Sequence, residues 1–404
     1  MREVVHGWFM AHEGWLLIVD NADDEAALRP SGILFKALPP PNAPGHVLIT
    51  SRVGTEAFGS LEIAAPLTLG LLDISAAEKL LVRAAKALDD AGASSHLHSL
   101  SSVEQEAVAW LVGDVGLARL PLALVQSGSA IREDGLTFDG YRQKFERRNV
   151  ELFGMSTTGT RREEQSVHTT WDISIDALGK REPAAVELLG LCSMIAPDDI
   201  PLAMFTSIGP QTAGSAACPA LCELMGTAAD DDDKHDRLKK LLRAARSYSL
   251  IDGSSSESIV TMSMHRLVQD VQRRQLAREP ATWEDNVRLV ARLLGSAMPK
   301  VGDAATFEEA QAVGPLLTHV HSLLEGATLS TREMPTGLVP AKLLDDAADA
   351  HRRRGEYEME RELQEALLRE MRAEKGEEHP HTLAAMHDLA NSLSNTCLLY
   401  TSPS

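Results

Sequence analysis

Two short apolar runs without polar alternation stand out along the chain, Trp15-Leu16-Leu17-Ile18-Val19-Asp20 and His46-Val47-Leu48-Ile49-Thr50-Ser51-Arg52. Unbroken apolar stretches of this length, each closed by polar residues, predict strands buried on both faces of a parallel sheet. Asp23 to Lys36 fits a crossover helix interrupted by Pro30, and Pro39, Pro40, Pro41 and Pro44 keep the next stretch from being helical. Leu61-Glu62-Ile63 adds a third, shorter strand candidate.

From residue 75 the hydrophobic period turns helical. Ser75-Ala76-Ala77-Glu78 and Ser101-Ser102-Val103-Glu104 have the spacing of capping boxes, and they open a helical bundle reaching residue 150. Residues 151–166 are polar with glycines and read as a linker. Residues 167–276 alternate helical segments with an acidic loop, Asp230 to Asp233. A β-ribbon candidate, Ser258 to Ser263, follows the turn signal Asp252-Gly253. Helices followed by a ribbon are in winged-helix order. Further on, Leu344 to Met371 and Leu383 to Leu393 predict paired helices with a turn at Gly355-Glu356-Tyr357. A small-residue pattern recurs from Ala348 to Ala390, a period of 42 residues. The last residues, from Cys397, depart from the helical pattern and read as a non-native tail over 396–404.

Composition narrows the classes. With 404 residues, 44% hydrophobic and 24% charged, the chain can bury real cores, and its net charge is −19. The N-terminus lacks the apolar centre of a signal peptide, and no apolar run approaches bilayer length, so a soluble, cytoplasmic protein away from membranes is expected. Cys192, Cys218, Cys222 and Cys397 are too few and too irregular for a disulfide framework. Cys218 and Cys222 have the spacing of half a zinc site, with no second Cys/His pair to complete it. The acidic excess disfavours DNA and anionic lipid as partners.

The ordered set Leu16-Leu17-Ile18-Val19-Asp20-Asn21, Leu48-Ile49-Thr50-Ser51-Arg52, Leu120-Pro121-Leu122-Ala123-Leu124 and Met264-His265-Arg266-Leu267-Val268-Gln269 resembles the NB-ARC class of STAND signalling NTPases over roughly residues 5–280. The resemblance implies an α/β nucleotide-binding part followed by all-α architecture. Residues 1–70 would be the C-terminal part of a P-loop NTPase sheet, 71–150 a helical bundle and 165–280 a winged-helix domain. A helical linker would follow at 281–340. Residues 341–395 resemble kinesin-light-chain-like tetratricopeptide repeats, on the 42-residue period and Glu378-His379-Pro380-His381-Thr382-Leu383.

The same resemblance implies ADP or ATP with Mg²⁺ as cofactors. Asp20 would orient the water shell of Mg²⁺. Asn21 stands where many members carry an acid, so hydrolysis would lean on Asp23 or Asp24 as base. Arg52 would fork onto a terminal phosphate. Pro121 would pack on the adenine, although Ala118-Arg119 replace the usual glycine ahead of it. His265 would donate to a diphosphate oxygen, with Arg266 standing where an Asp is common.

The chain contains no Gly-x-x-x-x-Gly-Lys-Ser/Thr, and its only Gly-Lys, Gly179-Lys180, is followed by Arg181. The expectation is a fragment of a nucleotide-gated switch, with negligible turnover by itself, a protein partner on the repeats and homo-oligomerisation on activation. Two other readings stand beside it. The helix Asp236 to Leu250, with Arg237, Lys239, Lys240, Arg243 and Arg246, is a candidate DNA-reading helix of a transcriptional regulator. The chain is also compatible with a helical adaptor that takes no nucleotide.

Overall fold

The computed structural model describes residues 2–20, 22–23, 32, 36–51, 53, 58, 67–153, 162–209, 218–251, 261–299, 313–328 and 335–401. The chain forms two compact units, Met1–Gly70 and Leu71–Ser404. It is mostly α-helical, with one small parallel sheet in the first unit.

In the first unit, helix α1 (Arg2–Ala11) precedes strands β1 (Leu16–Val19) and β2 (His46–Ile49), which pair in parallel with Leu16 opposite His46 and Val19 opposite Ile49. Burial on both faces, expected from the apolar runs, is not observed. Leu17, Val19 and Ile49 are half-buried, and Val19 and Ile49 pack on Ala22 and Phe58, whereas Leu16, Ile18 and Leu48 on the other face are more than half exposed. A strand's composition reports its preference for burial; only a covering layer can satisfy it. The predicted crossover helix falls almost wholly, and the third strand entirely, outside the described residues.

The second unit begins with α2 (Ile74–Lys86), α3 (Asp90–Ser99), α4 (Ser102–Val112), α5 (Pro121–Asp134) and α6 (Phe138–Phe153). The first capping box is displaced. Asp73, not Ser75, is the N-cap of α2, its carboxylate accepting the Ala76 N–H at 2.9 Å. Aspartate is as good a cap as serine, and starting earlier adds Ile74 and Ser75 to the helix. Ser101 does cap α4, accepting from Glu104 N, but Glu104 does not reach back to it. Its carboxylate accepts from Phe138 N at 2.8 Å and Asp139 N at 3.3 Å instead, capping α6 across the bundle.

Helices α7 (Arg162–Arg181) and α8 (Pro183–Cys192) follow, so 151–153 and 162–166 of the predicted linker are helical, and 154–161 lie outside the described residues. Strand β3 (Ile200–Pro201), a 3₁₀ turn (Leu202–Ser207), α9 (Pro219–Gly226), α10 (Asp231–Ser247), β4 (Thr261–Met262), α11 (Arg266–Leu276) and α12 (Pro280–Ala297) come next, with β4 antiparallel to β3. Asp230 to Asp233 are not a loop. Asp230 caps α10, accepting from Asp233 N at 2.8 Å, and the other three acids fill its first turn, where the helix dipole favours negative charge. Of the predicted ribbon, Thr261 and Met262 form β4, while 252–260 lie outside the described residues.

The unit ends with α13 (Gly314–Thr328), α14 (Ala341–Arg354), α15 (Tyr357–Lys375) and α16 (Pro380–Thr401). Gly355 closes α14 at φ 75°, a left-handed position that glycine occupies without a Cβ penalty. Helix α16 runs on through Cys397, against the break expected there. One hydrophobic core continues from Ala77 to Ala385, so the bundle, the central helices and the last three helices share a single interior.

A buried polar chain links α13 to α14. His321 Nε2 lies 2.8 Å from His351 Nε2, and His351 Nδ1 lies 2.6 Å from Glu356, whose carboxylate also meets Arg354. The carboxylate places the proton on His351 Nδ1, so His321 Nε2–H is the donor to His351 Nε2. Burial lowers both imidazoles, His321 to about 4 with His351 adding to the effect, while Glu356 partly opposes the shift of His351. A base depressed in the folded state stabilises the fold above its unfolded pKa near 6.5, and that stability is lost as pH falls toward the folded value. The unfolding free energy from urea titrations is expected to drop between pH 6.5 and 4, by on the order of 2 kcal/mol at the acid end for this partly solvated pair. His321→Gln, which can still donate to His351 but does not titrate, should flatten that dependence.

Candidate functional site

At the carboxyl edge of the parallel pair the chain turns polar, and the turn is tied across the strands. Ala22 N–H donates to Thr50 O at 2.8 Å and Thr50 N–H to Val19 O at 2.9 Å. The Thr50 hydroxyl donates to Asp20, and the Ser51 hydroxyl lies 2.8 Å from Ala22 O and 3.2 Å from Asp23. Asp20, Asp23, Thr50 and Ser51 therefore gather at one sheet edge, the place where open parallel sheets take ligands. Asp20 is exposed and Asp23 half-buried, so both carboxylates can face a solvated cation. Arg52, Asn21 and Asp24 lie outside the described residues.

Pro121 and His265 belong to the second unit. Pro121 is the exposed first residue of α5, where its missing N–H leaves no helix bond unmade. The residues before it are conformationally unusual, since Ala118 and Arg119 both have positive φ, 51° and 57°. Left-handed backbone costs L-residues about 1–2 kcal/mol each. The loop holds it through Ala118 N–H to Gly113 O at 3.1 Å and an Arg119–Asp114 ion pair at 2.7 Å. Glycine's absence there thus leaves the left-handed turn in place and stores strain in it.

His265 is the exposed N-cap of α11, its Nδ1 accepting the Leu267 N–H at 3.2 Å. That bond puts the ring proton on Nε2, which makes Nε2 the donor. The segment is fixed from behind. Met264, buried, donates its N–H to Pro197 O at 2.8 Å, and Gln269 on α11 donates to Cys192 O at 3.0 Å and Ile195 O at 3.1 Å.

The basic helix is partly paired. Of the five residues singled out on α10, Arg237 pairs with Asp233 at 2.8 Å, Lys239 with Asp236 at 3.7 Å and Lys240 with Glu182 at 3.1 Å. Pairing within and beside the helix lowers what it could offer a phosphate backbone. Cys192, Cys218 and Cys222 are buried and outside any disulfide, and among the described residues no three His, Cys, Asp or Glu side chains come together to hold a metal ion.

A cleft of about 600 Å³ opens beside α14, α15 and α16, lined by Asp345, Asp349, Gln364 and Asp388 among others. Sequence reasoning passed over it. The acids on α14 were visible, but a single glutamine in an amphipathic helix gives no sign that its amide will be buried.

Residues 176–281 match a family model described as a domain of unknown function, DUF7779. The match runs from the last turns of α7 to the start of α12 and so includes β3, β4 and His265. Among curated proteins none matches the chain. No helix among the described residues is long and apolar enough to cross a membrane.

Proposed function

We propose that this chain is part of a nucleotide-gated signalling switch of the NB-ARC type, taking ADP or ATP with Mg²⁺ and reading a protein partner through its last helices. The observation that carries the reading is the convergence of Asp20 and Asp23 with the Thr50 and Ser51 hydroxyls at the carboxyl edge of two parallel strands. Asp20 would hold the water shell of Mg²⁺, which supplies charge neutralisation beside the phosphates when bound. His265 offers Nε2–H as a donor, and its position on a helix N-terminus suits an anion. Pro121 offers a rigid apolar ring for a purine, and Arg52 a guanidinium for the terminal phosphate. Asp23, held by Ser51, would be the carboxylate for orienting water.

The helix, strand, helix, helix, strand order from α8 to β4 supports a winged-helix reading of the central segment. Three consecutive helices, α14 to α16, with fully buried Ala347 and Ala348 where α14 packs, support the tetratricopeptide-like reading of the last one. Exchange of ADP for ATP would then act by differential contacts in two states, and Arg52 and His265 would be the residues to make them.

With no glycine-lysine phosphate loop in the sequence, the remaining charge-assisted contacts sum to about 4 kcal/mol, a dissociation constant of roughly 1 mM for Mg·ADP. Titration followed by NMR should show that binding, weakened about tenfold by Asp20→Asn and by His265→Ala. Indifference of the wild-type chain to millimolar Mg·ADP, or equal binding by both variants, would remove the nucleotide from the function.

A further inference from the structure

The cleft beside α14–α16 holds polar groups whose partners do not add up. On α14, Asp346 is paired with Lys342 at 2.6 Å, and Asp349 with Arg353 at 2.8 Å and also with Arg352. These pairs consume the basic side chains that line it. Asp345 on α14 and Asp388 on α16 are left with no ion-pair partner among the described residues. Gln364 on α15 is only 3% exposed, yet its Oε1 is buried without a hydrogen bond and the residue lines the cleft. One turn before it, Glu360 is 2% exposed and its Oε2 is likewise unpartnered.

The two buried atoms left over, Gln364 Oε1 and Glu360 Oε2, are both acceptors. A buried acceptor without a donor costs about 1–3 kcal/mol, and it persists where something else supplies the donor. Burial first, and then the surrounding acids Asp346, Asp349 and Asp388, hold Asp345 above the usual carboxylate range, against Lys342. Burial likewise raises Glu360, against Arg352 and with Asp349 and Asp388. A cation in the cleft would relieve both. It is not a metal ion, because these oxygens do not converge in threes among the described residues. Acceptors spread over three helices suit a planar group with five divergent donors, a guanidinium. A volume of about 600 Å³ far exceeds that group, leaving room for the backbone and neighbours of a polypeptide that carries it.

We propose that this cleft receives an arginine side chain presented by a partner polypeptide. The proposal rests on the reading of α14–α16 as a partner-binding repeat and names the chemistry of what that repeat takes.

The test uses the whole chain at physiological salt and four probes: a fluorescent peptide alternating Gly and Arg, one alternating Gly and Glu, one alternating Gly and Ser, and free L-arginine. The Arg peptide should bind, about tenfold more weakly to D345N/D388N and within about twofold of wild type to E106Q/E223Q, which removes the same charge from exposed positions on α4 and α9. Q364M keeps the side-chain volume and deletes the unpartnered amide. It should weaken the peptide about threefold or more while leaving the urea midpoint unchanged or higher.

Equal weakening by E106Q/E223Q would reduce the effect to net charge and overturn the assignment. Free arginine binding as tightly as the peptide would overturn the polypeptide source. Preference for the Glu or Ser peptide would overturn the arginine and leave the repeat as a partner site, whereas no binding by any peptide would overturn both.

Discussion

Trp171→Ala is expected to destabilise the larger unit by about 3–5 kcal/mol, the range for truncating a fully buried large aromatic. Trp171 sits midway along α7 with no solvent exposure, and α7 packs against α5, α6, α8 and α11, so the cavity would open where the bundle meets the central helices. The surrounding helices cannot collapse onto the gap without dragging those contacts with them. The indole Nε1 is buried without a hydrogen-bond partner. Trp171→Phe therefore loses volume but also relieves an unsatisfied donor, and its cost should stay below about half that of alanine. Urea unfolding followed by far-ultraviolet circular dichroism reads both as shifts of midpoint at constant slope. A Phe variant as damaged as the Ala variant would mean that the indole N–H has a partner.

Gly128→Ala comes second. A Cβ built on Gly128 would lie 2.5 Å from Ala84 Cβ and 2.9 Å from both Ala85 N and Leu81 O. These atoms belong to α2, mostly to its backbone, so they cannot rotate away as a long side chain would. Alanine in a helix interior is favoured over glycine by about 0.5–1 kcal/mol, whereas overpacking two helices at their closest approach costs about 1–3 kcal/mol or more. The clash wins, and a net loss of roughly 2 kcal/mol is expected. Gly179 in α7 gives the opposite sign, because its added Cβ meets only Val186 Cγ2 at 3.6 Å. Gly179→Ala should stabilise by about 0.5–1 kcal/mol through the unfolded chain. Thermal scans of the two variants side by side check the contrast, and a Gly128→Ala protein as stable as wild type would show that α2 and α5 can part freely.

Much of the local structure was legible in the sequence. The two strands, their parallel pairing and the Ser101 cap follow from short-range pattern, as do the opening of α5 at Pro121 and the turn at Gly355. Pattern misled where two local solutions competed. Asp73 and Ser75 are both acceptable caps, and the run Asp230–Asp233 reads as a loop until the helix dipole that it satisfies is in view. Of the candidate site, Asp20, Asp23 and His265 were identifiable as chemistry-bearing residues at element ends. The tie of Asp20 to Thr50 was not, because it depends on residues brought together by folding, and the Nδ1 contact that makes His265 a donor at Nε2 was not, because it depends on the rotamer the ring adopts over the helix start.

The sequence by itself determined that β1 and β2 are strands and that most of the chain beyond residue 75 is helical, that charge is strongly acidic and that no glycine-lysine phosphate loop is present. These are properties of neighbouring residues and of composition. The tertiary structure alone decided that one face of the β1–β2 pair stays exposed, that His321 meets His351, and that the bundle and the last helices share one core. It also decided that the Gln364 amide is buried beside unpaired carboxylates. Those outcomes depend on long-range packing, whose energy is set by what covers a surface, and no local pattern encodes it.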